Sequence, residues 1–187
     1  MLDPKLDAAL ELLQRTDGLL ASVCYSLTLE VRPLPIPTMA TTGDKILIDP
    51  DFLAASDTPT LAFALAHEAS HLVFDHPARK RHREQQRWNM ACDRVINRHL
   101  AAAHTVPKWA LTDSGTADEE TLYESEPNQR TNGLGEGRGK PRPGEPQCSM
   151  LSPEDATAAD AVAGRIRAVV EAAIKAGTAP SWAKQSF

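Results

Sequence analysis

Apolar residues recur at a helical period at the start of the chain. Leu6, Leu10 and Leu13 fall on one face of a helix predicted over residues 4–15, which we expect to continue toward Leu20. Most other positions in this segment are polar or small. A helix with one apolar stripe packs on a core, so we expect this element to support the fold.

The pattern then changes from a helical period to alternation of apolar and polar residues. Residues 26–31 alternate in this way and predict a strand. Residues 38–42 and 45–49 flank the turn signal Gly43-Asp44 and predict a hairpin. We therefore expect a small, mostly antiparallel sheet. The last strand, KILIDP, is expected to offer a free edge to an extended peptide.

Two longer helices are predicted in the middle of the chain. The first begins at Thr58-Pro59, where Thr58 can cap it, and continues through the apolar run LAFALAHEASHLVF. Pro77 is expected to end this helix by forcing His76 out of helical geometry. The second is predicted over residues 84–103 and has one wide apolar face. The first of these helices is expected to be largely buried.

The C-terminal third mixes an acidic stretch, a glycine- and proline-rich stretch and an alanine-rich helix. A short helix is predicted through Glu119 and Tyr123, and a longer one over residues 155–176 that ends at Gly177. The chain as a whole predicts an α+β fold. Its expected parts are a main domain over residues 1–125, a flexible linker or loop over 126–149, and a C-terminal helix over 150–187 that packs on the body.

Composition narrows the class of protein. Of the 187 residues, 42% are hydrophobic and 24% are charged, which is typical of a globular protein, and the net charge of −5 gives no general attraction to nucleic acid. No apolar run is long enough to cross a membrane, and the N-terminus lacks the pattern of a secretory signal. Cys24, Cys92 and Cys148 show no paired spacing and are expected to be reduced. We expect a cytoplasmic protein that binds neither a membrane nor nucleic acid.

The segment AHEASH carries the strongest chemical signal. His67 and His71 are four residues apart on the predicted buried helix, so both imidazoles face the same side. Two such imidazoles can bind one Zn²⁺, and Glu68 can accept a proton from a water at that metal. Zinc lowers the pKa of such a water to about 7, so the motif predicts hydrolysis at neutral pH. The alternative is a hydrogen-bonded polar patch in the core.

A catalytic zinc usually has three protein ligands, and two residues compete for the third place. Asp93 lies on the next predicted helix, with Asn89 and Asn97 four residues to either side, which suits a ligand supported by neighbouring amides. His76 follows His71 by five residues and could curl back toward the metal. The spacing favours Asp93, and His76 is then an outer residue at the end of the helix.

Four strings in the same order resemble the N-terminal metallopeptidase domain of bacterial and phage proteins related to von Willebrand factor A-like (VWA-like) metallopeptidases. They fall between about residues 30 and 125: TMATTGDKILIDPDFL, LAHEASHLVFDHPAR, WNMACDRVINRHL and TADEETLY. The resemblance implies a zincin-like fold and zinc-dependent proteolysis. Its site residues are carried over to His67, Glu68, His71 and Asp93. The VWA-like half of longer relatives does not follow in this sequence.

Weaker signals concern the surroundings of the motif. Tyr123 could donate a hydrogen bond to an oxyanion, but an ordinary packing role is favoured. The basic segment over residues 79–87 could hold nucleic acid, but a solvated surface is the more common use of such a run. His99 and His104 are expected to be surface or capping residues.

Three functions follow from these observations. The first is a zinc metallopeptidase that acts on a protein or peptide, with Glu68 as general base. The second is a metal-stabilised binding or regulatory module that recruits a VWA-like or ATPase partner chain and has little turnover. The third is a DNA-associated protease that uses the basic segment. Glu68 favours the first, because a structural zinc site has no use for that carboxylate.

Overall fold

A computed structural model describes residues 2–112, 114–125, 149–150 and 156–185 and confirms the α+β class. The helices in this part of the chain are α1 Pro4–Thr16, α2 Gly18–Tyr25, α3 Pro50–Ala55, α4 Thr58–Val73, α5 His76–Arg79, α6 Gln85–Leu100, α7 Glu119–Ser125 and α8 Ala156–Ala176, followed by a 3₁₀ helix, Ser181–Gln185. The strands are β1 Thr28–Val31, β2 Met39–Thr41, β3 Lys45–Ile48 and the two-residue β4 Ser149–Met150.

Acidic side chains begin several of these helices. Asp3 and Asp49 each precede a proline and accept hydrogen bonds from backbone N–H groups of the first turn. α4 is capped by Asp57, which accepts from the Thr60 N–H at 2.9 Å, so the prediction that Thr58 caps this helix is wrong. A carboxylate reaches the free amides of the first turn and also faces the positive end of the helix dipole.

The sheet is mixed and has the strand order β1-β3-β2-β4. The predicted hairpin is present: β2 and β3 are antiparallel, and Gly43 occupies the turn with a φ of 97°. The expectation of mostly antiparallel pairing is wrong, because β1 pairs with β3, and β2 with β4, in parallel. β3 is therefore paired on both sides, and the predicted free edge at KILIDP does not exist. The reason is that the chain leaving β1 passes over to β2, and β3 then returns between them.

Two helix ends differ from prediction. The first helix stops at Thr16, where Asp17 closes α1 with its N–H and caps α2 by accepting from the Leu20 N–H at 3.1 Å. α4 ends at Val73, well before Pro77, and Asp75 then adopts a left-handed conformation with φ of 54°. This reversal turns the chain so that His76 begins α5. Proline therefore starts a new helix here and does not end the old one.

α4 lies at the centre of the core. It packs against α1 and α2 on one side, against α6 on another, and also against β2 and α8. Its buried apolar residues include Leu61, Phe63 and Leu65. Because α4 is surrounded in this way, its polar residues His67, Glu68 and His71 are buried, and α6 is one of the helices that pack on it.

Other parts of the chain complete the body. α8 packs on α2 and α4 through a stripe that includes Val162, Ile166 and Val170. Cys24 and Cys92 are free thiols in the core. The predicted linker over residues 126–149 lies, except for Ser149, outside the described residues. Among the helices of the described part, none combines the length and the apolar character needed to cross a membrane.

Candidate metal centre

Three side chains from α4 and α6 converge on one point. The Nε2 atoms of His67 and His71 are 3.1 Å apart. Asp93 Oδ1 lies 3.3 Å from the His67 Nε2 atom and 3.4 Å from the His71 Nε2 atom. All three residues come from the predicted motif and its favoured partner helix. They form a compact triangle of potential ligand atoms.

The size of this triangle fits a zinc ion. Tetrahedral zinc with bonds of about 2.0–2.2 Å has ligand atoms roughly 3.3–3.5 Å apart, and two imidazoles with one carboxylate are donors that zinc accepts. The measured distances of 3.1 to 3.4 Å lie close to that value. Three donors would leave one position of a tetrahedron for another molecule. The residues present therefore fit the metal that the sequence predicts.

The positions of the three donors follow from helix geometry. His67 and His71 are one turn apart on α4, and both lie on the side that α6 covers. Their side chains are 1% and 0% exposed, whereas that of Asp93 is 14% exposed. The centre is thus buried on the α4 side and reaches solvent beside Asp93.

Asn97 holds the ring of His67 from behind. Its Oδ1 atom lies 2.8 Å from His67 Nδ1, and its Nδ2 atom donates to the Leu111 carbonyl at 2.7 Å. Because the amide N–H group is used by Leu111, the oxygen must face His67 and accept a proton from Nδ1. The Nε2 lone pair of His67 is then directed at the convergence point.

His71 is supported in the same manner by a longer chain of residues. Its Nδ1 atom lies 3.0 Å from Nδ1 of His76, whose Nε2 atom lies 2.9 Å from Glu119 Oε1. Arg79 donates to the other oxygen of Glu119 at 2.7 Å. Both nitrogens of His76 are therefore used in contacts away from the triangle. The structure brings Asp93, and not His76, to the convergence point.

Burial and mutual contact set the protonation of the triangle. Burial, with help from the neighbouring histidines, lowers the pKa of His71 to about 3. Burial opposes ionisation of Asp93, but its contacts with the rings of His67 and His71 outweigh burial and lower the pKa of Asp93 to about 2. Burial also opposes charge on His67, yet the Asp93 carboxylate raises the pKa of that ring above its usual value. Asp93 is thus ionised and His71 neutral, which are the forms that bind a metal.

Glu68 lies next to His67 on α4 and is fully buried. Its charge contributes to the raised pKa of His67. The pKa of the Cys24 thiol is also raised, first by burial and then by the charge of Glu68. Glu68 therefore places a carboxylate close to the triangle in a region without exposed surface, where its electrostatic influence is strong.

Two predicted site residues lie elsewhere. Asn89 accepts a hydrogen bond from Gln85 at 2.8 Å, on the outer part of α6. The Tyr123 hydroxyl accepts from the Glu84 N–H at 3.1 Å, and its ring packs on Trp88. Both contacts are of the kind that stabilises a helix end or a helix surface.

Three arginines of the basic segment make contacts within the chain. Arg79 pairs with the two acids of α7, Arg83 lies over the Trp88 ring at 4.9 Å, and Arg87 lies over the Tyr123 ring at 4.2 Å. These contacts attach α7 to α5 and α6. These three arginines thus help to hold the helices that surround His76.

Sequence reasoning missed Glu119 and Arg79 as neighbours of the centre. Glu119 is 5% exposed and lies on a short helix 48 residues beyond His71, so no local spacing connects the two. The available signals were the acidic run on a predicted short helix and the basic run after His76. His99 and His104 lie outside the triangle, and His99 packs between Phe74 and Trp182.

Comparison with protein families gives one match over most of the chain. Residues 3–180 match the family model described as "Putative metallopeptidase domain". Comparisons with curated proteins and with solved structures give no match. The family covers all the helices that carry the triangle and its supports.

Proposed function

Since the chain belongs to the family described as "Putative metallopeptidase domain", we propose that it is a zinc-dependent hydrolase of peptide bonds. The observation that carries this proposal is the triangle of His67, His71 and Asp93. Its donor types and spacing fit zinc, and Glu68 is the buried carboxylate that follows His67 on α4. A metal site with an adjacent carboxylate is the arrangement that hydrolysis by an activated water requires.

Each residue has a distinct task in this proposal. His67, His71 and Asp93 hold the metal, which when bound lowers the pKa of a water and polarises the scissile carbonyl. Glu68 accepts the proton of the attacking water and delivers it to the nitrogen of the leaving amine. Asn97 keeps the His67 ring in the tautomer that offers Nε2.

A substitution at Glu68 separates its chemical task from metal binding. Glu68→Gln keeps the size of the side chain and removes the base, so zinc content should stay near one per chain while the cleavage rate falls by roughly 10²- to 10⁴-fold. The assay is digestion of denatured casein at equal zinc occupancy. Glu171→Gln, on the exposed surface of α8, is the matched control and should behave as the wild type.

The zinc content and the cleavage rate of Glu68→Gln together distinguish an enzyme from a metal-stabilised module. Retained zinc with lost cleavage in Glu68→Gln alone supports the proposal. Equal cleavage by Glu68→Gln and the wild type would refute the role of Glu68. Zinc binding without casein cleavage by any variant would favour the second candidate below.

The burial of the ligands favours one other function. His67 and His71 have almost no exposed surface, as is common for metal sites that only stabilise a fold. In that case the protein is a metal-stabilised binding or regulatory module, and its partner is a VWA-like or ATPase chain. Glu68 argues against it, because a buried carboxylate costs free energy that a structural site does not need.

A further inference from the structure

A chain of hydrogen bonds extends from the metal triangle to the far side of His76. It passes from His71 Nδ1 to His76 Nδ1 at 3.0 Å, and from His76 Nε2 to Glu119 Oε1 at 2.9 Å. It ends at Arg79, which donates to Glu119 Oε2 at 2.7 Å. All three residues of the inner part, His71, His76 and Glu119, are buried.

Counting protons gives this chain a single direction. Glu119 is an acceptor only, since contacts with His76 and Arg79 overcome burial and lower its pKa to about 2. His76 must then carry its proton on Nε2, and its Nδ1 atom accepts. His71 must in turn donate from Nδ1, which leaves its Nε2 lone pair directed at Asp93 and His67. The far carboxylate thus decides which nitrogen of His71 can bind a metal.

The ring of His76 is fixed in the position that this chain requires. Phe74 stacks on it with the ring centroids 5.4 Å apart and an angle of 16° between the planes. Trp88 meets it edge-on at 6.0 Å and donates its indole N–H to the His76 carbonyl at 3.0 Å. A ring held on two sides cannot readily rotate to exchange its nitrogens.

We propose that Glu119 is a positioning residue of the metal centre, which acts through His76 to orient His71 for metal binding. Arg79 holds the Glu119 carboxylate in place, and α7 thereby becomes part of the metal site although it supplies no ligand. Metal binding at His71 and docking of α7 are then coupled. By linkage, each stabilises the other. This inference rests on the proposed metal site and does not require peptide hydrolysis.

Replacement of Glu119 by glutamine puts an amide, with one acceptor and one donor group, between His76 and Arg79. If the amide oxygen faces His76, the amide N–H₂ group faces Arg79, and two donors meet. If the amide is reversed, it donates to His76 Nε2, and the proton positions along the chain reverse, which puts a proton on His71 Nε2. The first arrangement keeps the required tautomer but sets two donors against each other, so we expect the second, which opposes metal binding. Removal of such an outer partner typically costs 10- to 100-fold in metal affinity.

The experiment compares Glu119→Gln with Glu120→Gln. Glu120 is the matched control, because it also accepts from Arg79, whereas the hydrogen bond to His76 Nε2 is made by Glu119. Zinc affinity is measured by chelator competition on folded protein, and the thermal midpoint is measured without metal. We expect Glu119→Gln to bind zinc 10- to 100-fold more weakly than the wild type, and Glu120→Gln to stay within about threefold of the wild type.

The results separate this inference from the proposed function. Equal zinc affinity in both variants and the wild type would overturn the role of Glu119 and leave the metal site intact. A lower midpoint without metal, together with unchanged affinity, would also overturn it, because it indicates a structural role alone. Failure of the wild type to bind zinc would overturn both.

A measurement on the wild-type protein covers the case in which Glu119→Gln does not fold. The ¹⁵N chemical shifts of the imidazole nitrogens, in zinc-loaded protein, report the tautomer of each ring. We expect His71 and His76 to carry their protons on Nδ1 and Nε2 respectively. A His71 ring bound to zinc through Nδ1, or a His76 ring protonated on Nδ1, would refute the proposed direction of the chain.

Discussion

At the scale of single residues, the hydrogen bonds of each histidine ring distinguish donors to a metal from supports. His67 and His71 use Nδ1 for a partner behind them and keep Nε2 for the triangle. His76 uses both ring nitrogens away from the triangle. Asp93 therefore has a place in the triangle that His76 cannot take without breaking two hydrogen bonds.

This difference predicts an order of metal affinities. Asp93→Ala should lose more than the 10- to 100-fold expected for His76→Ala, because the first removes a donor and the second an outer partner. His99→Ala, a histidine outside the triangle, is the control and should bind zinc as the wild type does. Chelator competition gives the three values. The reverse order for Asp93 and His76 would assign the third donor position to His76.

The residues of the centre differ in how far the sequence reveals them. Spacing within one helix predicts His67, Glu68 and His71, because residues four apart share a face. Asp93 and Asn97 are recognisable as a polar stripe on the next helix, although that stripe also suggests Asn89, which contacts Gln85. Glu119 reaches the centre only because α7 docks on α6, and such tertiary contacts leave no mark on local spacing.

At the scale of elements, single aspartates decide where helices begin. Asp57 accepts one backbone N–H at the start of α4. Asp49 accepts two at the start of α3 and one more from Leu34, at 2.9 Å, on the segment that leaves β1. Asp49 is also buried, whereas Asp57 is exposed. The two caps therefore have unequal structural importance.

Removal of these caps should destabilise the protein to different degrees. Asp57→Ala should lower the free energy of unfolding by about 1 kcal/mol, which is usual for a cap. Asp49→Ala should lower it by roughly 2–4 kcal/mol, because Asp49 itself is buried and its removal also leaves the part-buried Leu34 N–H without this acceptor. Asp51→Ala, at an exposed position of α3, should stay within about 0.5 kcal/mol of the wild type. Urea unfolding measures all three, and equal losses for Asp49→Ala and Asp57→Ala would contradict the expected difference.

Helix positions were largely predictable because apolar spacing and caps are local. The pairing of strands was not, since β1 lies beside β3, and not beside the next strand in the chain. Local alternation indicates that residues 28–31 are extended but does not indicate their partner. The end of α4 differs from the prediction because Asp75 takes a left-handed conformation, which apolar spacing does not reveal.

At the scale of the whole molecule, the metal centre connects helices that are distant in the chain. α4 and α6 supply the donors, and α5 and α7 supply the support through His76 and Glu119. An ion at the triangle would bind only the folded chain, because the donors are not brought together in the unfolded one. The centre should therefore contribute to global stability as well as to chemistry.

Zinc should raise the thermal midpoint of unfolding. At a free zinc concentration 100-fold above the dissociation constant, the expected gain is about 2.7 kcal/mol in the free energy of unfolding. His67→Ala and His71→Ala should show little or no gain, because each removes a donor. Calorimetry with zinc and after chelation measures the effect. A midpoint that does not change with zinc in the wild type would contradict a metal site that forms only on folding.

The depth of the two histidines also has a kinetic consequence. With His67 and His71 enclosed between α4 and α6, an ion can enter or leave only past the Asp93 carboxylate, or when the two helices separate. Both routes are restricted, so exchange with solution should be slower than diffusion of the free ion would allow. Zinc removal by a chelator should accordingly be followed over time, since a brief incubation would record the rate of exchange and not the affinity.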